Sequence, residues 1–204
     1  MNHRNIVFLF FPKTHLLDLS GAAQVFYEAG QLGSHAFRLL FASAEDTVES
    51  EQGLFFAKLT PLGELRLQKG DLICVPGIDF RRFSEGEMDE AIAKAKGWLQ
   101  RQHENGVFIG SICSGALILA QMGLLDNVQC TTHWKCLPYA RARYPQAQFL
   151  DNRLYIFDKG IFTVRHTDSS TLTEFFYHLR SNHIFFELER FLFIWSEEIA
   201  NAKS

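Results

Sequence analysis

Short runs of uninterrupted apolar residues, separated by longer stretches of helical period, constrain this chain most. Asn5–Phe11 (NIVFLFF), Asp71–Val75 (DLICV) and Gly106–Ser111 (GVFIGS) are each of strand length. Successive side chains on a strand point to opposite faces, so a strand apolar at consecutive positions must be buried on both. A parallel sheet linked through helices meets that demand. The expected class is α/β: a doubly wound, mostly parallel sheet with helices on both faces.

The punctuation along the chain agrees. Pro12 stops the first run, and a helix is expected from about Leu19 to Ala29, closed by Gly30. Ala36–Ser43 reads as a strand and Val48–Leu59 as a hairpin-like excursion around Gln52-Gly53. Ser84 with Glu87 forms a capping box ahead of Met88, Ala91, Ile92, Ala95, Trp98 and Leu99, one apolar stripe at helical spacing. Asn105-Gly106 stops that helix. Ser114–Met122 is the next helix, and Cys130–His133 is a short extended piece. Leu154–Phe157 and Ile161–Val164 flank the turn Asp158-Lys159-Gly160, and helices are expected near Leu172–Leu179 and Ile184–Ile199. With no internal repeat, low-complexity tract or linker, the 204 residues form one domain, 1–204.

Composition excludes several classes. An apolar fraction of 47% supplies a full core, which rules out a disordered chain. A formal charge of −3 offers no broad basic surface, so direct nucleic-acid binding is not expected. Ile6–Pro12 and Ala116–Ala120, the longest apolar stretches, fall short of the roughly 18 residues of a membrane span, and no signal-peptide pattern opens the chain. Cys74, Cys113, Cys130 and Cys136 form no CxxC pair and fit thiols in a reducing cytoplasm.

The sharpest local feature is Ile109-Gly110-Ser111-Ile112-Cys113-Ser114-Gly115-Ala116. A strand turns into a helix with one nucleophile at the corner and small residues around it, the cysteine form of a nucleophile elbow. There the helix dipole would favour thiolate, and amides at the helix start would face an oxyanion. A buried cysteine in a tight turn fits the same residues. Cys130 and Cys136 flank His133, but C-x₅-C with one histidine lacks the paired spacing of structural zinc, and neither a metal nor a cofactor is expected.

Together with Leu119–Asp126, Thr131-Thr132-His133-Trp134, Leu17-Asp18-Leu19-Ser20-Gly21 and Val75-Pro76-Gly77, this elbow resembles the ThiJ/PfpI superfamily over roughly residues 5–164. The branch it resembles holds isonitrile hydratases and the ligand-sensing domains of AraC-type regulators. The resemblance implies a flavodoxin-like, class I glutamine-amidotransferase-like sandwich and a homodimer. It implies Cys113 as nucleophile, and Asp18 as a protonated carboxyl that hydrogen-bonds the thiolate and passes on a proton. Replacing Asp18 with Asn would then raise the thiol's pKa. His133 would serve as general base or orient water, and Ser114 would hydrogen-bond substrate. Gly77 would offer an amide to an oxyanion; the family's second glycine is Ile78 here, which keeps its amide and narrows the pocket. On the residues alone, Asp18 and Ser114 are ordinary helix caps, and His133 a core histidine.

After Thr163 the pattern departs from the family. Val164–Thr171 has no glycine, His166 and Asp168 read as a polar turn, and Phe162, Phe175, Phe176, Phe185, Phe186, Phe191 and Phe193 crowd the end. Packing on the sheet, a dimer surface and an altered reading frame each account for such a tail. Two functions stay open. One is a small-molecule hydratase or hydrolase of isonitrile hydratase type, preferred because Cys113, Asp18 and His133 occur together. The other is a ligand-sensing domain of an AraC-type regulator, whose helix-turn-helix units do not fit before Ser204. A redox-responsive thiol would need only Cys113.

Overall fold

The computed structural model describes residues 4–32 and 37–165. The expected helices after residue 165, His166, Asp168 and the phenylalanines from Phe175 onward lie outside these residues, whereas Phe162 is buried in the sheet. Among them, strands β1 (Arg4–Phe10), β2 (Phe37–Ser43), β5 (Thr60–Pro61), β6 (Leu72–Val75), β7 (Phe108–Ile112), β10 (Tyr155–Asp158) and β11 (Ile161–Val164) form one sheet. Their order is β10-β11-β7-β6-β1-β2-β5, all parallel except β10. Two small pairs accompany it: the hairpin β3 (Thr47–Glu49) with β4 (Phe55–Ala57), and β8 (Gln129–Cys130) with β9 (Gln148–Phe149).

Burial follows the strand alternation. Ile6, Phe8 and Phe10 face helix α1 (Leu16–Leu32) through Leu19, Ala22, Val25 and Phe26. Val7 and Leu9 join Ile73, Val75 and Ile109 on the opposite face, under α3 (Asp89–Glu104) and α4 (Gly115–Gln121). The doubly wound α/β reading is therefore correct. The stripe Met88, Ile92, Ala95 and Leu99 is buried, with Ala91 and Trp98 packed at its edge. Turn chemistry also holds at Gly53 (φ +82°), Gly106 (φ +82°) and Lys159-Gly160 (φ +49° and +79°).

Helix starts and stops differ from those expected of the sequence. α1 begins at Leu16 and passes through Gly30, which stays right-handed and packs against Phe37 rather than taking the positive φ of a terminator. Asp18 thus sits in the first turn of the helix and is not its cap. The capping box does not form. Ser84 closes the short α2 (Arg81–Ser84) and donates to the Arg81 carbonyl, Glu87 binds Arg82, and Met88 precedes α3 with no side-chain cap. Gly86 at φ +74° breaks the chain between the two helices. A further helix, α5 (Leu137–Arg143), follows the turn at 134–136, with Pro138 in its first turn.

Topology places the functional residues. The chain steps from β1 to β2 on one side and later to β6 and β7 on the other, so the order reverses between β1 and β6. Loops leaving the carboxyl ends of strands diverge there and leave a crevice. Antiparallel bridging of Thr14 with Ile78, and the His15 amide donating to the Gly77 carbonyl at 2.8 Å, bring the β1–α1 loop against the β6 loop.

Candidate active site

Cys113 stands where β7 ends, with φ +56°, a left-handed conformation that costs a non-glycine residue about 1–2 kcal/mol. Neighbours over-determine it. Its amide donates to the Val164 carbonyl at the end of β11 (2.8 Å), and its carbonyl accepts from the Thr132 hydroxyl (2.9 Å). Gly115 is required by close approach: a Cβ there would drive into the Val75 carbonyl oxygen and lie 3.0 Å from that of Pro76. These contacts hold the strained backbone at the corner between β7 and α4.

Asp18, 4% exposed, reaches the same point from α1. Its Oδ2 accepts from the Gly77 amide at 3.2 Å, and its charge lies close enough to the Cys113 thiol to raise that thiol's pKa. A Cβ on Gly77 would collide with Asp18 Oδ2, meet Ser114 Oγ at 2.8 Å and meet Cys113 Cβ at 3.2 Å. Only glycine lets thiol, carboxylate and hydroxyl converge. Ser114 is buried; its Oγ accepts from the Ile78 amide at 2.9 Å and donates to the Ile78 carbonyl. The hydroxyl ties α4 to the β6 loop and does not cap the helix.

The two amides expected to face an oxyanion are therefore engaged: that of Gly77 by Asp18, that of Ile78 by Ser114. The thiol also differs from expectation. Burial pushes the Cys113 pKa well above the ordinary thiol range, the Asp18 charge pushes it further, and a hydrogen bond from the Ser114 amide opposes both without overcoming them. With Asp18 charged, its proximity raises the thiol's pKa, so Asp18→Asn is expected to lower it, the opposite sign to the one the resemblance implies.

A pocket of about 480 Å³ opens over Cys113 and Ser114, lined also by Ile78, Phe80, Cys136 and His133. Asp18 and Gly77 stand behind that lining. His133 begins the short helical turn 134–136, accepts at Nδ1 from the Lys135 amide (3.2 Å) and stacks on Trp134. Sequence reasoning missed four lining residues: His15, Asp79, Arg81 and Lys135. His15 Nδ1 lies 4.0 Å from Asp18 Oδ2, an i,i+3 relation legible only once α1 is known to start at Leu16. Arg81 grips Asp79, its Nε 3.1 Å from each carboxylate oxygen, and holds that carboxyl down to about 2. Cys130 and Cys136 are buried, their thiols pushed up to about 12 by desolvation. No group of three His, Cys, Asp or Glu among the described residues could hold a metal ion.

Comparison with known proteins matches residues 4–179 to the DJ-1/PfpI family, 15 residues beyond the resemblance traced to Val164 in the sequence. The chain belongs to the DJ-1/PfpI family. Among curated family relatives it is 28% identical to the HTH-type transcriptional regulator GbdR of Pseudomonas aeruginosa over 79% of this chain and 42% of that protein. It is 30% identical to the isonitrile hydratase of Pseudomonas putida over 63% of this chain and 52% of that one. It thus spans about half the length of these relatives, or less. The fold matches a crystal structure of an AraC family transcriptional regulator from Pseudomonas putida at TM-score 0.65 and 20% identity, covering 87% of this chain and 91% of that one. No helix among the described residues is long and apolar enough to cross a membrane.

Proposed function

We propose that this DJ-1/PfpI protein hydrates a small electrophilic carbon by covalent catalysis, in the manner of an isonitrile hydratase. One observation carries the reading: Cys113 is held at φ +56° in the pocket lining, with the Asp18 carboxylate beside its thiol. The pair holds one proton, because two adjacent anions are disfavoured in so enclosed a place. As sulfur attacks the terminal carbon of an isonitrile, the thiol proton passes to Asp18 and on to that carbon, giving a thioimidate. Water, activated by His133, then adds to the same carbon. The C–S bond breaks, the N-substituted formamide leaves, and the thiol recovers its proton.

The engaged amides of Gly77 and Ile78 favour this chemistry over amide hydrolysis. Acyl transfer needs preorganised donors for an oxyanion, whereas addition to an isonitrile carbon is completed by a proton. Ser114 accordingly positions the β6 loop through its bonds to Ile78. Cys113→Ala should abolish formamide production from small alkyl isonitriles, read by chromatography, and undiminished turnover in that variant would falsify the mechanism. A cytoplasmic homodimer, checked by sedimentation, accompanies the proposal.

A second reading, a ligand-sensing domain of an AraC-type regulator, is supported by the identity to GbdR and by a thiol kept protonated through burial. Under it, small molecules raise the melting temperature of wild type and of Cys113→Ala alike, with no product formed.

A further inference from the structure

The charged side chains that line the pocket are Arg81, Lys135 and Asp79, beside the imidazoles of His15 and His133. Asp18 lies behind the lining, next to His15 and the Cys113 thiol, and Glu51 and Glu85 act on Arg81, so Lys135 is the lining cation farthest from these carboxylates in its interactions. The Asp79 carboxylate is already held by both oxygens in the Arg81 fork. Lys135 has no carboxylate partner among the described residues; its ammonium lies 5.2 Å from the centroid of the Trp134 ring. Deeper in, the lining changes character. Ile78, Phe80 and Cys136 are apolar, and the thiol at the floor is uncharged because burial raises its pKa. A ligand that fits this gradient has a neutral, poorly solvated end at Cys113 and a negative charge at the mouth.

We propose that Lys135 sets the ligand class: the pocket takes a short molecule whose reactive end is uncharged and whose far end is a carboxylate. The neutral end rests on the hydration reading, whereas the charge preference does not and is measured without turnover. Lys135 supplies a long-range attraction that a carboxylate retains as it enters, and the aromatic face of Trp134 steadies the ammonium. The Arg81–Asp79 pair, neutral as a unit, adds no competing charge.

The test uses the full chain carrying Cys113→Ala, so that nothing reacts, and three isosteric probes: propionate, propionamide and propylammonium. Ligand-observed NMR titration should give propionate about five-fold tighter binding than propionamide, the upper end for a partly solvated charge pair. Propylammonium should bind weakest, and 0.5 M salt should shrink the preference. Adding Lys135→Glu should erase it. Lys96→Glu, the same charge change on the exposed face of α3, should not. Equal or tighter binding of the amide or the ammonium would overturn the proposal, as would a preference that survives Lys135→Glu. Wild type assayed with isocyanoacetate and its methyl ester separates the two claims. A carboxylate preference without hydration sinks the reaction and leaves the ligand class standing; hydration that ignores charge does the reverse.

Discussion

Cys113 combines a strained backbone with a thiol that burial keeps protonated, and each property is separately measurable. The strain is paid for by the bonds from Val164 and Thr132, so it should be recoverable. Cys113→Gly, free to adopt positive φ, is expected to be more stable than Cys113→Ala by about 1 kcal/mol in urea unfolding. Equal stabilities would mean that the left-handed conformation carries no strain. The thiol is governed first by desolvation and then by the Asp18 charge. Asp18→Asn should therefore speed alkylation of Cys113 by iodoacetamide at pH 8–9, because removing a neighbouring negative charge favours thiolate. A slower reaction would show that Asp18 instead donates a proton to the sulfur, as the family resemblance first suggested.

Between elements, the site depends on how α4 meets the β6 loop. Ser114 Oγ is bonded to both the amide and the carbonyl of Ile78, and Gly115 packs onto the carbonyls of Val75 and Pro76. Ser114→Ala would strand the buried Ile78 amide at a cost of about 1–3 kcal/mol. It should also release the loop that carries Gly77, so a fall in kcat larger than the change in KM is expected from misplacement of Asp18. At α2–α3, a working capping box would make Ser84→Ala cost about 1 kcal/mol. Ser84 instead sits exposed at the end of α2, its hydroxyl donating to the Arg81 carbonyl, and its removal should leave urea unfolding nearly unchanged. The motif matched the spacing of a capping box, but Gly86 turned the chain before it could close.

For the whole molecule, four thiols lie in or against the two cores, and all have raised pKa values: Cys130 and Cys136 to about 12, Cys74 and Cys113 in the same direction. In the unfolded chain a thiol ionises near pH 8.5. Above that pH the unfolded state binds fewer protons than the folded one, so stability falls as pH rises. Below it, the contribution of the buried thiols is fully present. Unfolding free energies from urea titration should hold between pH 7 and 8 and decline from about pH 9 towards 12, by up to about 1.4 kcal/mol per pH unit for each thiol. Replacing Cys74 with Ala should lower stability at pH 7, since a buried side chain is lost, while making the alkaline decline shallower.

Much of this architecture was legible without coordinates. Runs apolar at consecutive positions can be satisfied only by a sheet covered on both faces, and the Cys113 corner announced itself through small residues at Gly110 and Gly115. The Gly77 position was visible as a landmark too, though its reason was not: three side chains converge on the space a Cβ would fill. Helix boundaries at Leu16 and Met88, the engagement of both β6-loop amides, and the sign of the thiol shift depend on which groups meet across the crevice between β1 and β6. So does the placing of His15, Arg81 and Lys135 at the mouth. Hydrophobic period is a local property that a chain carries in its own order. Burial, charge proximity and hydrogen-bond partnership arise between residues dozens of positions apart, and for this protein they were decided only when the strands took their places in the sheet.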